Sequence, residues 1–149
     1  MPSDHTILMV EDNPDDVVLV QRTLVKLEFP YPLFVVPDAE QAVAYLEGAG
    51  KYADRVLYPF PRTLLADMIL PRRSALTVLE WLRNHPACLI VPTLILTSSE
   101  NPDDITRAYQ LGASAYMIKP VSLFDLKNLL ELTIKYWCGC AKPPYPLGC

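Results

Sequence analysis

No apolar stretch in these 149 residues approaches the roughly 20 that a membrane-spanning helix requires, so no part of the chain is expected to enter a membrane. The opening residues, Met1-Pro-Ser-Asp-His5, lack a charged segment followed by an apolar one, which argues against a secretory leader and for a cytoplasmic protein. Clustered basic residues are missing as well. With a net charge of −4, nonspecific binding to nucleic acid has no electrostatic basis, and nucleic acid is not expected as a partner. Cysteine is sparse: of the four, Cys138, Cys140 and Cys149 crowd the end of the chain, so they cannot frame the body of a fold, and reduced thiols are the expectation. A Cys-x-Cys pair with a third Cys nearby offers soft-metal ligands, but no fourth ligand is close and neither His5 nor His85 is local to it. Internal repeats, low-complexity blocks and a second domain are also absent. The length suits one domain with a single core.

What the chain does have is an alternation of short apolar runs with segments of helical period, the pattern of repeated βαβ units on a parallel sheet. The runs are Thr6–Val10, Leu33–Val36, Thr63–Ala66, Thr93–Leu96 and Ala115–Ile118. After the first, Asn13-Pro14-Asp15-Asp16 reads as a helix start, with a capping side chain, proline at the first helical position and acids in the first turn. That helix is predicted to run to about Leu27, where Phe29-Pro-Tyr-Pro32 breaks it. Asp38 and Gln41 form a capping pair for a second helix, which Gly48 and Gly50 end. A loop from Lys51 to Arg62 leads to the third run. A third helix is predicted over Ser74 to Asn84, and Asn101-Pro102-Asp103-Asp104 starts a fourth, stopped by Gly112. Ser122 and Asp125 open a fifth, with apolar positions at Phe124, Leu126, Leu129, Leu130, Leu132 and Ile134, continuing to Trp137. The domain is placed at 1–138, with a Cys- and Pro-containing tail at 139–149 whose Lys142-Pro-Pro-Tyr-Pro146 is either a recognition segment or disordered.

Glu11 with Asp12, Asp67, Thr97 and Lys119 all stand where one of these runs gives out. In open α/β sheets ligands bind at the carboxyl ends of the strands, so one sheet would gather three acids, a hydroxyl and an amine at one mouth. Those are the groups of a phosphate-handling site. Singly, each has a plain reading. Glu11, Asp12, Asp15 and Asp16 favour a helix N-terminus through its dipole, Lys119 before Pro120 suits a solvated turn, and Thr97 has β-propensity. Asp67 differs, because an acid ending a central apolar strand is costly to bury without a partner.

The acidic pair after the first strand, Asp67 within Leu64-Leu-Ala-Asp-Met-Ile-Leu-Pro71, Thr97, and Lys119-Pro120 together resemble the receiver domain of two-component response regulators. Thirty residues separate Asp67 from Thr97 and twenty-two separate Thr97 from Lys119, both usual for that family. The resemblance spans about residues 6 to 138. It implies a doubly wound, five-stranded parallel sheet of order 2-1-3-4-5 flanked by five helices. The Glu-Asp-Asn-Pro-x-Asp opening, Leu70-Pro-Arg-Arg73, the long loop before the third strand and the Ile134-Lys-Tyr-Trp137 ending are most similar to the stand-alone regulators that pair with phytochrome-type histidine kinases.

The resemblance implies a role for each residue. Asp67 is the phosphoacceptor. Mg2+ is the cofactor, held by Asp12 and Asp67 directly, by Glu11 through water and by the backbone carbonyl of Ile69, since crowded carboxylates call for a hard dication. Lys119 and Thr97 meet the phosphoryl oxygens, and Tyr116 turns inward behind Thr97 as a packing switch. Such a protein assists its own phosphorylation and dephosphorylation without being a conventional enzyme. Its partners would be a sensor histidine kinase, a bacteriophytochrome among the candidates, and a second copy of itself through helix four, strand five and helix five, where Phe124, Tyr136 and Trp137 are either core or interface.

Two departures stand out. Ser74 and Ala75 replace a usual Asp-Gly pair, and Ile69 stands where many receivers carry a polar side chain that can hold the attacking water, which implies a long-lived phosphoryl group. The alternatives are a pseudo-receiver that acts as a phosphorylation-independent scaffold, and an aspartyl phosphatase, which would be expected to carry a second Asp where Ile69 stands.

Overall fold

The computed structural model describes residues 6–29, 32–71, 73–88 and 90–140, with the side chain of Cys138 excepted. The expectations for His5, Cys149 and the tail beyond residue 140 lie outside these residues. Five strands, β1 (Ile7–Val10), β2 (Leu33–Val36), β3 (Thr63–Ala66), β4 (Thr93–Thr97) and β5 (Ala115–Ile118), alternate with five helices, α1 (Pro14–Lys26), α2 (Ala39–Glu47), α3 (Ala75–Arg83), α4 (Pro102–Gln110) and α5 (Leu123–Gly139). All four strand pairings are parallel, and the order is β2-β1-β3-β4-β5, as expected.

The alternation of side chains along the strands divides the core in two. Leu8, Val10, Leu64, Ala66 and Ile95 point to one face, where they pack with Ala42 and Tyr45 of α2, Val78, Leu79 and Leu82 of α3 and Ala108 of α4. Ile7, Met9, Leu65, Leu94 and Leu96 point to the other, against Leu19, Val20 and Leu24 of α1 and Leu130 and Ile134 of α5. Burial on both faces is why the central strands read as unbroken apolar runs. The two tryptophans are shared between the layers, Trp81 packing against the first and Trp137 against the second.

The predicted caps form. Asn13, Asp38, Asn101 and Ser122 each accept a backbone N–H of the helix that follows, and Ser74, expected as the first residue of its helix, does the same for α3. Ser74 thus gives the turn after the Leu-Pro pair its own helix start. Two expectations need correction, and for Phe124 the choice between core and interface narrows. Helix α1 is closed by Glu28 in a left-handed conformation (φ +56°), with the N–H of Phe29 bonded to Leu24 O, before the prolines of the predicted break are reached. In α5, Phe124 and Leu132 are exposed and belong to no core. Cys88 is fully buried and disulfide-bonded, whereas reduced thiols were expected.

The loop from Lys51 to Arg62 is more ordered than its composition implied. It opens with a short 3-10 turn, Gly50–Ala53, and brings Tyr52 and Tyr58 onto Tyr45 and Phe34 in a tilted and edge-on aromatic cluster. The Arg55 guanidinium reaches back to the carbonyls of Tyr45 and Leu46 at 2.8 and 2.9 Å, over the faces of Tyr45 and Phe60. It caps the C-terminus of α2 where Gly48 turns the chain at φ +68°.

Candidate functional site

Three of the four strand ladders continue for one residue past the last paired position, and that residue carries the chemistry. The N–H of Glu11 bonds Val36 O at 3.0 Å, that of Asp67 bonds Val10 O at 3.1 Å, and that of Lys119 bonds Thr97 O at 2.7 Å. The sheet backbone therefore fixes where these side chains start. Thr97 ends β4 and is fully buried, while Glu11 and Asp67 are 5% and 6% exposed.

The Lys119 ammonium lies among three carboxylates, 2.7 Å from Asp67 Oδ2, 2.7 Å from Asp16 Oδ2 and 3.3 Å from Glu11 Oε2. Asp67 Oδ1 accepts the backbone N–H of Ile69 at 2.9 Å, and the nearby Thr97 hydroxyl favours the ionised carboxylate. Burial alone would raise the Asp67 carboxyl, but Lys119, Thr97 and the Ile69 N–H outweigh it and hold Asp67 below its ordinary value, ionised at neutral pH. Glu11 goes the other way: burial and the neighbouring charge of Asp67 push it up to about 7, against the pull of Lys119 and the Asn13 N–H. Burial works against the charge of Lys119, yet Asp16, Asp67 and Glu11 together raise it well above the usual lysine range. The result is a nucleophilic carboxylate kept anionic beside a permanently charged amine, above a floor of Leu19, Val20, Leu65, Leu96 and Leu130.

Four of the five expected residues, Glu11, Asp67, Thr97 and Lys119, meet. Asp12 is exposed. Among the described residues no group of three or more acidic, His or Cys side chains is placed to hold a metal ion, the expected trio of Glu11, Asp12 and Asp67 included. Ile69 offers its backbone to Asp67 while its side chain is 58% exposed at the mouth. Tyr116 is half-buried, and its hydroxyl donates to Ser99 O at 2.9 Å.

Two residues escaped the sequence reading. Asp16 was grouped with Asp15 as a first-turn acid, but it precedes the buried Leu19 and Val20 by three and four residues and so shares their face of α1. That spacing was a usable signal. Ser99 is the other: its N–H bonds Thr97 Oγ1 at 3.3 Å, its carbonyl takes Tyr116 and its hydroxyl donates to Asp104 of α4 at 2.8 Å. Nothing in the local sequence marks it.

The family model of the response regulator receiver domain matches residues 7–131. Among curated proteins, the chain is 34% identical to the probable methanogenesis regulatory protein FilR2 of Methanothrix harundinacea, covering 94% of this chain and 88% of that protein. It is 31% identical to the response regulator Rcp1 of Synechocystis, covering 88% and 87%. Among solved structures, the phosphorylated cyanobacterial phytochrome response regulator RcpA and the Mn2+-bound form of Rcp1 each superpose with a TM-score of 0.87 at 30% identity, over 95% of this chain and 99% of theirs. Matched across the whole sheet and over most of its relatives' lengths, the chain belongs to the response regulator receiver domain family.

Proposed function

We propose that the protein is a phosphoacceptor switch. Asp67 takes a phosphoryl group from the phosphohistidine of a sensor histidine kinase, and the acquired charge changes the surface offered to a partner. The observation that carries this reading is the Asp67 carboxylate, held ionised at the carboxyl edge of a central strand with a lysine ammonium at 2.7 Å and a threonine hydroxyl nearby. In the step itself, an Asp67 oxygen attacks phosphorus as the P–N bond breaks, and the departing imidazole nitrogen keeps the electron pair and takes up a proton. Lys119 and Thr97 are positioned to give their bonds to the phosphoryl oxygens as these arrive, which stabilises charge where it appears.

The chemistry of the donors, though not the present placement of the three carboxylates, suits a divalent cation, Mg2+. Glu11, Asp67 and the neighbouring Asp12 supply hard oxygens, and the upward push that Asp67 exerts on Glu11 is the charge surplus a cation would relieve. When bound, the ion would neutralise the incoming phosphoryl oxygens. Asp12 and Asp67 would hold it directly, Glu11 through water and Ile69 through its carbonyl.

Transmission runs through Thr97 and Tyr116, which the Ser99 backbone already joins. Similarity to RcpA and Rcp1 supports a phytochrome-type kinase as donor. The receiver unit is taken as 1–138, followed by the tail at 139–149. A twofold dimer through α4, β5 and α5 is part of the proposal, because Tyr109, Ile118, Val121, Phe124 and Tyr136 are exposed there.

Intact mass after incubation with Mg2+ and acetyl phosphate, beside Asp67→Asn, tests the central claim. A phosphoryl increment in the wild type alone is expected. Its absence in both, with Mg2+ binding verified, would leave the scaffold reading in its place.

A further inference from the structure

The Lys119 ammonium has three hydrogens to donate, and the three carboxylates of Asp16, Asp67 and Glu11 take all of them. A phosphoryl group bound to Asp67 needs at least one of those bonds. The three are unequal in what they can give up. Asp67 is the group that changes. Glu11 is the longest partner at 3.3 Å and also accepts the Asn13 N–H at 3.2 Å. Asp16 lies at 2.7 Å, and it comes from a rigid place, the third residue of α1. There an acidic side chain often folds back onto the N-cap N–H. Here Glu11 already satisfies that N–H, which leaves Asp16 to reach across to β5. The sheet side of α1 is anchored by Leu19, Val20 and Leu24 in the core, so the Asp16 carboxylate is held from behind.

Resting on the phosphoacceptor reading above, we infer that Asp16 is a positioning residue for Lys119. It keeps one ammonium bond throughout and serves as the pivot about which Lys119 transfers another from the Asp67 carboxylate to the arriving phosphoryl oxygen. Without it, a long and flexible side chain must be ordered at the moment of transfer, and small misplacements of a charged donor are costly in rate.

The test is a double-mutant cycle on the full chain with Asp16→Asn and Lys119→Met, read as the rate of phosphorylation by acetyl phosphate at saturating Mg2+. Asp16→Asn alone is expected to slow phosphorylation about tenfold or more, with Asp16→Glu recovering part of the loss. In the Lys119→Met background the same substitution is expected to change the rate hardly at all. An unchanged or faster rate for Asp16→Asn, or an equal loss in both backgrounds, overturns the proposal, since Asp16 then acts apart from Lys119 or not at all. The same four proteins are unfolded in urea without metal or phosphodonor. Coupling between the two positions there shows that the ion pair forms in solution, and its absence also overturns the proposal. If the wild type takes up no phosphoryl group although the pair couples in urea, the phosphoacceptor reading is what has failed.

Discussion

Glu11 and Asp67 are neighbours that titrate in opposite senses. The native carboxyl of Glu11, raised from 4.5 to about 7, binds its proton more tightly than in the unfolded chain, so its contribution to stability is full below 4.5 and is lost as pH rises to about 7. Asp67, lowered from 3.8, contributes above that value and loses its contribution only as pH falls through its native pKa. Between the two, Glu11 governs. With metal chelated, the melting temperature is expected to be lower near pH 8 than near pH 5, and millimolar Mg2+ to raise it more at the higher pH; Glu11→Gln should flatten both effects. Equal Mg2+ shifts at both pH values would show that Glu11 is not the group relieved. Ile69 leaves an apolar side chain at the mouth, where it cannot hold water against an acyl phosphate. Ile69→Asn is therefore expected to shorten the phosphoryl half-life by about tenfold, measured as loss of the mass increment after the donor is removed; an unchanged half-life would remove that role.

Among the elements, the ends are more informative than the middles. Glu28 closes α1 in a conformation that costs a residue with a Cβ about 1–2 kcal/mol, so Glu28→Gly is expected to raise stability by up to about 1 kcal/mol in urea unfolding, the gain reduced by the greater freedom of glycine when unfolded. Arg55→Ala is expected to lose about 1–3 kcal/mol, because it strips a charge-assisted cap from the carbonyls of Tyr45 and Leu46 and a cation from two aromatic faces. These two residues also mark where the sequence stops being readable. Helix starts were legible, since a capping side chain acts on its own neighbours within three residues, as Asn13, Asp38 and Asn101 do. Arg55 acts on a helix end nine and ten residues away, and no local pattern announces that. The strand ends placed Glu11, Asp67, Thr97 and Lys119 together because the period of a parallel sheet carries that information. Asp12, one residue past Glu11, lies beyond the ladder and is exposed. Asp16 was recoverable from helical spacing, whereas Ser99 depends on the path of a loop between Thr97 and α4.

At the scale of the molecule, the two layers meet water differently. The α4, β5 and α5 side leaves Val121 fully exposed and Phe124 71% exposed, an apolar surface on a chain otherwise ordinary in composition. Phe124→Asp is expected to weaken self-association by about tenfold or more while leaving phosphorylation of Asp67 intact, measured by light scattering across a dilution series; a wild type that is monomeric at all concentrations, or a variant that dimerises as well as the wild type, would move the interface elsewhere. The division of the core has an optical consequence. Since Trp81 packs on one side of the sheet and Trp137 on the other, and the chain has no third indole, replacing either by Phe leaves an emitter confined to a single layer. A spectral response to beryllofluoride that survives Trp81→Phe and vanishes with Trp137→Phe would assign the rearrangement to the α1 and α5 layer, and the converse would assign it to the layer of α2, α3 and α4. The protein thus carries its own pair of colour tags, one per face, with no dye to attach.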